Sequence, residues 1–250
     1  MCGRFSLTVP PEEIREFLGF PEQPNFPPRY NIAPTQPIAV VTLGADGRHF
    51  TLMRWGLWPS WVKDPKDFPT LINARGESAA AKPAFRAAMR RRRCLIPADG
   101  FYEWQTSGKG QKIPHLIRRP DGGPFAFAGL WETWMGAGGE EIDTATIITT
   151  TANDRLKPLH ERMPVIVAPE DFARWLDADA NPPEAVADMI KPAQDDLFEA
   201  FPISTRVNSV ANDDPDIQVP LAEAATPPVE PRKTRPAKKK KSDDDQMTLL

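Results

Sequence analysis

The chain has little of what would announce a metal enzyme, a nucleotide enzyme or a membrane protein. Two cysteines, Cys2 and Cys94, and three histidines are too few and too scattered for zinc-ligand spacing. No glycine-rich phosphate loop and no Gly-x-Ser-x-Gly elbow occurs, so no cofactor is implied. No apolar run is long enough to span a bilayer. The N-terminus lacks the basic and apolar segments of a signal peptide, and with so few cysteines a reducing cytoplasmic compartment is expected. Neither charge sign dominates. Lys and Arg number 31, Asp and Glu 34, and the net charge of −3 by itself speaks against nucleic acid as a partner.

Proline, by contrast, is abundant, with 29 in 250 residues against a usual share of about 5%, which excludes long uninterrupted helices. Short segments of alternating, β-branched or aromatic residues read as strands: 38–43, 49–55, 113–117, 125–130 and 144–150. Asp46-Gly47 and Asp121-Gly122 mark hairpins. Helices are expected at 11–18, 83–92, 169–176 and 184–190, with prolines at or before the first turn. The fold class is therefore α+β, a mostly antiparallel sheet or barrel core with short peripheral helices. The body is expected to end near Val219. Residues 220–250, rich in Ala and Pro and then in Lys and Asp, form a separate tail in which nothing offsets the entropy of ordering.

The candidate chemistry begins at Cys2. An initiator Met is removed when a small residue follows it, and the chain then starts with a 1,2-aminothiol. Its amine titrates near 7.7 to 8.0 and its thiol near 8.5, so both nucleophiles are partly available at neutral pH. The amine condenses with an aldehyde, and the thiol closes a five-membered thiazolidine, which an internal cysteine cannot do. Other polar residues stand in apolar settings: Asn73 in Leu-Ile-Asn-Ala-Arg, Glu103 between aromatics on an expected strand, and His160 in Leu-His-Glu-Arg-Met-Pro. A desolvated Glu is suited to proton transfer; an exposed strand position accounts for it equally well. Arg4, Arg75 and Arg162 each lie near one of these residues and are suited to holding phosphates. Trp55, Trp58 and Trp61 recur every third residue. Trp55 and Trp58 read as core and Trp61 as a rim position for base stacking. The run Arg90 to Arg93 reads as a solvated helix end meeting the dipole.

In order along the chain, Cys2-Gly3-Arg4-Phe5, Tyr30-Asn31-Ile32-Ala33-Pro34-Thr35, Trp55-Gly56, Asn73-Ala74-Arg75 followed by Glu77, Pro97 to Trp104, and His160-Glu161-Arg162-Met163-Pro164 resemble the SOS-response-associated peptidase (SRAP) family. The resemblance implies a β-barrel-like core with a DNA cleft, and a DNA-damage sensor that crosslinks to abasic sites in single-stranded DNA. On that basis Cys2 is the nucleophile, Asn73 positions the linked sugar, and Glu103 and His160 move protons. Arg4, Arg75 and Arg162 hold flanking phosphates, Asn31 and Tyr30 shape the cleft, and Gly3 lets the DNA backbone approach. Relatives often carry adjacent tryptophans where this chain has Trp61-Val62. Cys94 has no role and is expected to be buried. Two other readings remain open: a cysteine peptidase or amidohydrolase using Cys2 and His160, and a noncatalytic single-stranded DNA adaptor. A monomer is expected, associated with the nucleoid. The terminal Gln246, Leu249 and Leu250 fit a short sliding-clamp peptide.

Overall fold

The computed structural model describes residues 2–108 and 110–221. The tail and its clamp-like peptide at Gln246, Leu249 and Leu250 lie outside the described residues, as does Met1. In chain order the elements are β1 (Phe5–Leu7), α1 (Pro11–Leu18), β2 (Arg29–Ile32), β3 (Pro37–Gly44), β4 (Gly47–Trp55), β5 (Asn73–Arg75), α2 (Gly76–Ala79), α3 (Arg86–Arg91), β6 (Arg93–Ala98) and β7 (Gly100–Thr106). They continue with β8 (Lys112–Arg118), β9 (Phe125–Met135), β10 (Glu141–Thr151), β11 (Arg162–Pro164), β12 (Ile166–Val167), α4 (Phe172–Leu176) and β13 (Glu199–Pro202).

Two sheets result. One is five-stranded and wholly antiparallel, in the order β13-β8-β7-β1-β2. The other runs β11-β10-β4-β3-β6-β9-β12, and a further β9–β10 pairing closes it into a barrel. Only β4 and β5 lie parallel to β10. Closure removes the edges a sheet of this size would otherwise expose. Aromatic side chains join the sheets: the Phe5 ring on β1 meets Trp55 at 5.1 Å and Phe127 at 5.7 Å, and Phe101 on β7 meets Phe127 at 6.1 Å, all edge-on. Such pairs contribute about 0.5–1.5 kcal/mol each beyond the area they bury.

The α+β barrel reading holds, as does helix α1 from Pro11 to Leu18, which closes on Gly19 in the left-handed region at φ 68°. The Asp46-Gly47 hairpin also forms, with Gly44 opposite Gly47. The second expected hairpin does not. Residues 119–122 form a turn closed by the Gly122 amide on the Arg119 carbonyl at 3.0 Å, but β8 pairs with β7 and β13 while β9 pairs with β6, β10 and β12. The turn therefore carries the chain from one sheet to the other. β6, the strand that claims β9, begins inside the arginine run, at Arg93. Arg93 is not part of a solvated helix end. It is 2% exposed, and its guanidinium donates to the carbonyls of Trp175, Met89, Asp177 and Asn181. The helix expected at 83–92 begins only at Arg86, and Pro183–Met189 winds as a 3₁₀ helix.

Candidate functional site

Strand β1 is the mount for the N-terminus. It pairs with β7 through Phe5 opposite Phe101, and the Tyr102 amide donating to the Arg4 carbonyl at 3.0 Å carries the pairing on toward residue 2. Alternation then sorts β7. Tyr102 faces an outer cluster with Leu116, Ile203, Val207 and Ile217, whereas Phe101 and Glu103 face the space between the sheets. Glu103 is 6% exposed there, and Cys2 is wholly buried. Burial pushes the Cys2 thiol above its ordinary range, and the charge of the nearby Glu103 carboxylate pushes it further. The thiol donates to the Arg4 carbonyl at 3.9 Å, so in this state it is a protonated sulfur, not a thiolate.

Asn73, the first residue of β5, reaches the terminus from the barrel. Its Nδ2 donates to the Cys2 carbonyl at 2.8 Å, while its Oδ1 is buried with no hydrogen-bond partner among the described residues. The Trp-Gly pair at 55–56 supports this strand from behind. The buried Trp55 indole donates to the Ile72 carbonyl at 3.0 Å, and Gly56 sits at φ 123°, where a Cβ would lie 2.2 Å from the Thr70 methyl. Only glycine fits that turn.

Strand β10 brings the remaining residues in. Thr149 is the register partner of Arg75 on one side and Pro164 on the other; Asn73 lies opposite Ile147 and Arg162 opposite Thr151, with His160 just ahead of β11. The Arg162 peptide N–H donates to His160 Nδ1 at 2.9 Å. Accepting at Nδ1 places the proton of the neutral imidazole on Nε2.

The three arginines are held differently. Arg4 gives Nη1 to Asn31 Oδ1 at 2.6 Å and to the Val207 carbonyl at 2.8 Å, lies 6.0 Å from the Trp104 ring, and leaves Nη2 without a partner among the described residues. Arg75 is exposed. Arg162 is paired with Glu77 through both carboxylate oxygens, at 2.6 and 2.9 Å. Asn31 is wholly buried. Its Nδ2 donates to the carbonyls of Val207, Ser209 and Asn212, so it fixes the 207–212 segment and Arg4 rather than offering a surface of its own. Trp61 is 58% exposed, its ring edge-on to Phe68 at 5.5 Å, in a loop closed by the Leu57–Leu71 bridge. Cys94 is buried.

Three contributors escaped the sequence reading. Trp104 donates to Asn208 Oδ1 at 2.8 Å and flanks Arg4. Glu77 carried a motif position but no role. His115 stands opposite Glu103 on β8, is buried, donates Nδ1–H to the Ile113 carbonyl, and has its pKa lowered by that burial. Nothing in the sequence pairs β7 with β8 at that register. Among the described residues no three His, Cys, Asp or Glu gather as metal ligands, and no helix is long and apolar enough to cross a membrane.

A family model described as SOS response associated peptidase (SRAP) matches residues 1–210. The chain belongs to the SRAP family. Among SRAP relatives, abasic site processing protein YoqW of Bacillus subtilis is 38% identical over 220 residues, covering 87% of this chain and 98% of that protein. Abasic site processing protein HMCES of Gallus gallus is 32% identical over 267 residues, covering 88% and 78%. A crystal structure of a Bacteroides thetaiotaomicron protein superposes with a TM-score of 0.80 at 26% identity, covering 88% of this chain and all of that one.

Proposed function

We propose that this SRAP protein processes abasic sites in single-stranded DNA by forming a covalent thiazolidine through Cys2 after Met1 has been removed. The freed α-amine adds to the aldehyde carbon of the ring-opened sugar, and the carbinolamine loses one water to give an imine. The Cys2 sulfur then adds to the imine carbon while the thiol proton passes to the nitrogen. A lone imine is hydrolysable and promotes strand cleavage by β-elimination; ring closure removes it.

The observation that carries the reading is the grip on residue 2. Its carbonyl is bonded by Asn73 and its thiol is buried beside Glu103. A cysteine peptidase needs the opposite environment, one that lowers the thiol pKa. Burial next to a carboxylate instead keeps sulfur in reserve, so the amine reacts first. Glu103 then takes the role of proton shuttle for sugar opening, water loss and the final S–H transfer. His160, with its proton on Nε2, donates to the sugar hydroxyl or imine. Arg4 and Arg75 meet phosphates, and Trp61 stacks a base at the rim. The Gln246–Leu250 peptide would tether the protein to a sliding clamp at the replicating nucleoid.

Incubation with a single-stranded oligonucleotide carrying one abasic site, followed by a denaturing gel, tests the reading. A shifted band is expected for the wild type and none for Cys2→Ala. Absence of the wild-type band would refute it.

A further inference from the structure

Arg162 has five N–H donors, and the structure commits most of them. Nη1 donates to Glu77 Oε1 at 2.6 Å, and Nη2 donates to Glu77 Oε2 at 2.9 Å and to the Thr149 carbonyl at 2.7 Å. Nε is buried without a partner among the described residues. The end-on edge of the fork is therefore closed by a carboxylate, and the side edge is turned into the protein at Thr149. One Nη1 hydrogen remains. A phosphate, which grips arginine most strongly through two parallel N–H···O bonds, finds neither edge open.

We propose that Glu77 is a specificity-determining residue that occupies Arg162 in place of a DNA phosphate, so that Arg162 joins the strand only when a phosphate displaces the Glu77 carboxylate. This deepens the reading proposed above and rests on it. The pair is built for exchange. Glu77 is the more exposed member, with 48% of its side chain accessible against 15% for Arg162. It is carried on a single helical turn, α2, and Arg162 is the one side chain it bonds among the described residues. The Arg162 hydrogen bonds hold the Glu77 carboxyl below the usual carboxylate range, with Arg75 adding to the effect, so the occupant is anionic throughout the neutral range. Arg75, two residues earlier and exposed, supplies the first attraction for the strand. The consequence is discrimination. On intact DNA the site works with one cation fewer, which keeps non-specific residence short and leaves retention to the covalent bond at a damaged position.

The test is binding of the full chain to an undamaged single-stranded oligonucleotide, followed by fluorescence anisotropy across a salt series, for wild type, Glu77→Gln and Glu77→Asp. Glu77→Gln is expected to bind more tightly at low salt, with the slope of log K against log[salt] steeper by about 0.7, the increment for one added phosphate contact on a single strand. Glu77→Asp, which keeps the charge, is expected to retain the wild-type slope. In an Arg162→Ala background the Glu77→Gln gain should vanish. An unchanged or shallower slope in Glu77→Gln, a Glu77→Asp slope as steep as that of Glu77→Gln, or a gain that persists without Arg162 overturns the proposal. Thermal melts of the same samples separate any of these outcomes from misfolding. If wild type crosslinks abasic DNA while Glu77→Gln shows no steeper slope, only this inference falls. If wild type neither binds nor crosslinks single-stranded DNA, the proposed function falls with it.

Discussion

Replacing Asn73 separates positioning from mere packing at the N-terminus. In Asn73→Ala the Nδ2 bond to the Cys2 carbonyl, 2.8 Å long, is lost, and a bond of this kind contributes about 0.5–1.5 kcal/mol net. At about 1.4 kcal/mol per tenfold, the aligned terminus becomes roughly two- to twelvefold less populated. The second loss is Oδ1, a buried acceptor without a donor among the described residues. An acceptor left unsatisfied costs about 1–3 kcal/mol, and a hydroxyl or N–H of the bound sugar adduct relieves that penalty as the bond forms. Together these place Asn73→Ala between about tenfold and about a thousandfold below wild type in crosslinking rate. Asn73→Asp keeps the shape but sets a carboxylate against the Cys2 carbonyl with no donor between them, and should be slower still. A time course of crosslink formation on denaturing gels reads both rates. Asn73→Ala at the wild-type rate, or Asn73→Asp faster than Asn73→Ala, would refute the assignment of Asn73 as the clamp on residue 2.

Stability should decline in alkali. The thiols of Cys2 and Cys94 are held above their ordinary range by burial, so above about pH 8.5 the unfolded chain loses protons that the folded one keeps. The folded-state contribution is full below that pH and falls by up to about 1.4 kcal/mol per pH unit per thiol above it. Urea midpoints from pH 7 to 10 should fall, less steeply in Cys94→Ala; constant midpoints would contradict the burial argument. Arg93→Met leaves the Trp175, Asp177 and Asn181 carbonyls without their donor. At about 1–3 kcal/mol for each buried acceptor left unsatisfied, it should destabilise by at least about 3 kcal/mol, a fall in Tm of at least about 6 °C at this size, whereas a solvated arginine would show almost none. Trp61→Ala, at an exposed position, should leave the melt unchanged while weakening single-stranded DNA binding by about 1–3 kcal/mol.

How much of this was legible in the sequence depended on whether the signal was local. Helix α1 and the β3–β4 hairpin could be read because proline placement, the terminal glycine and Asp46-Gly47 act within a few residues. The β8–β9 hairpin was misread because the Asp121-Gly122 turn says nothing about which strand each arm will pair with; that was decided by β6, far away along the chain. Arg93 looked like surface charge because composition cannot show several carbonyls converging on a buried guanidinium. At the site, Cys2, Asn73 and Glu103 stood out as polar residues in apolar or terminal settings, and the structure brings these three into one interacting group. Arg4, Arg75 and Arg162 looked equivalent on paper. Their inequality arises from Asn31 and Glu77, whose side-chain directions are set only by the packing of β1 on β2 and of α2 against β10. The net charge of −3 averages over the chain and does not show where single arginines stand.

The covalent bond itself is tested most directly by the intact mass of the adduct formed with an abasic single-stranded oligonucleotide, with and without borohydride. A thiazolidine at Cys2 requires the mass of the chain lacking Met1 plus the DNA minus one water, unchanged by borohydride because no imine remains to reduce. An adduct that retains Met1, or that survives denaturation only after borohydride adds two hydrogens, would contradict the account.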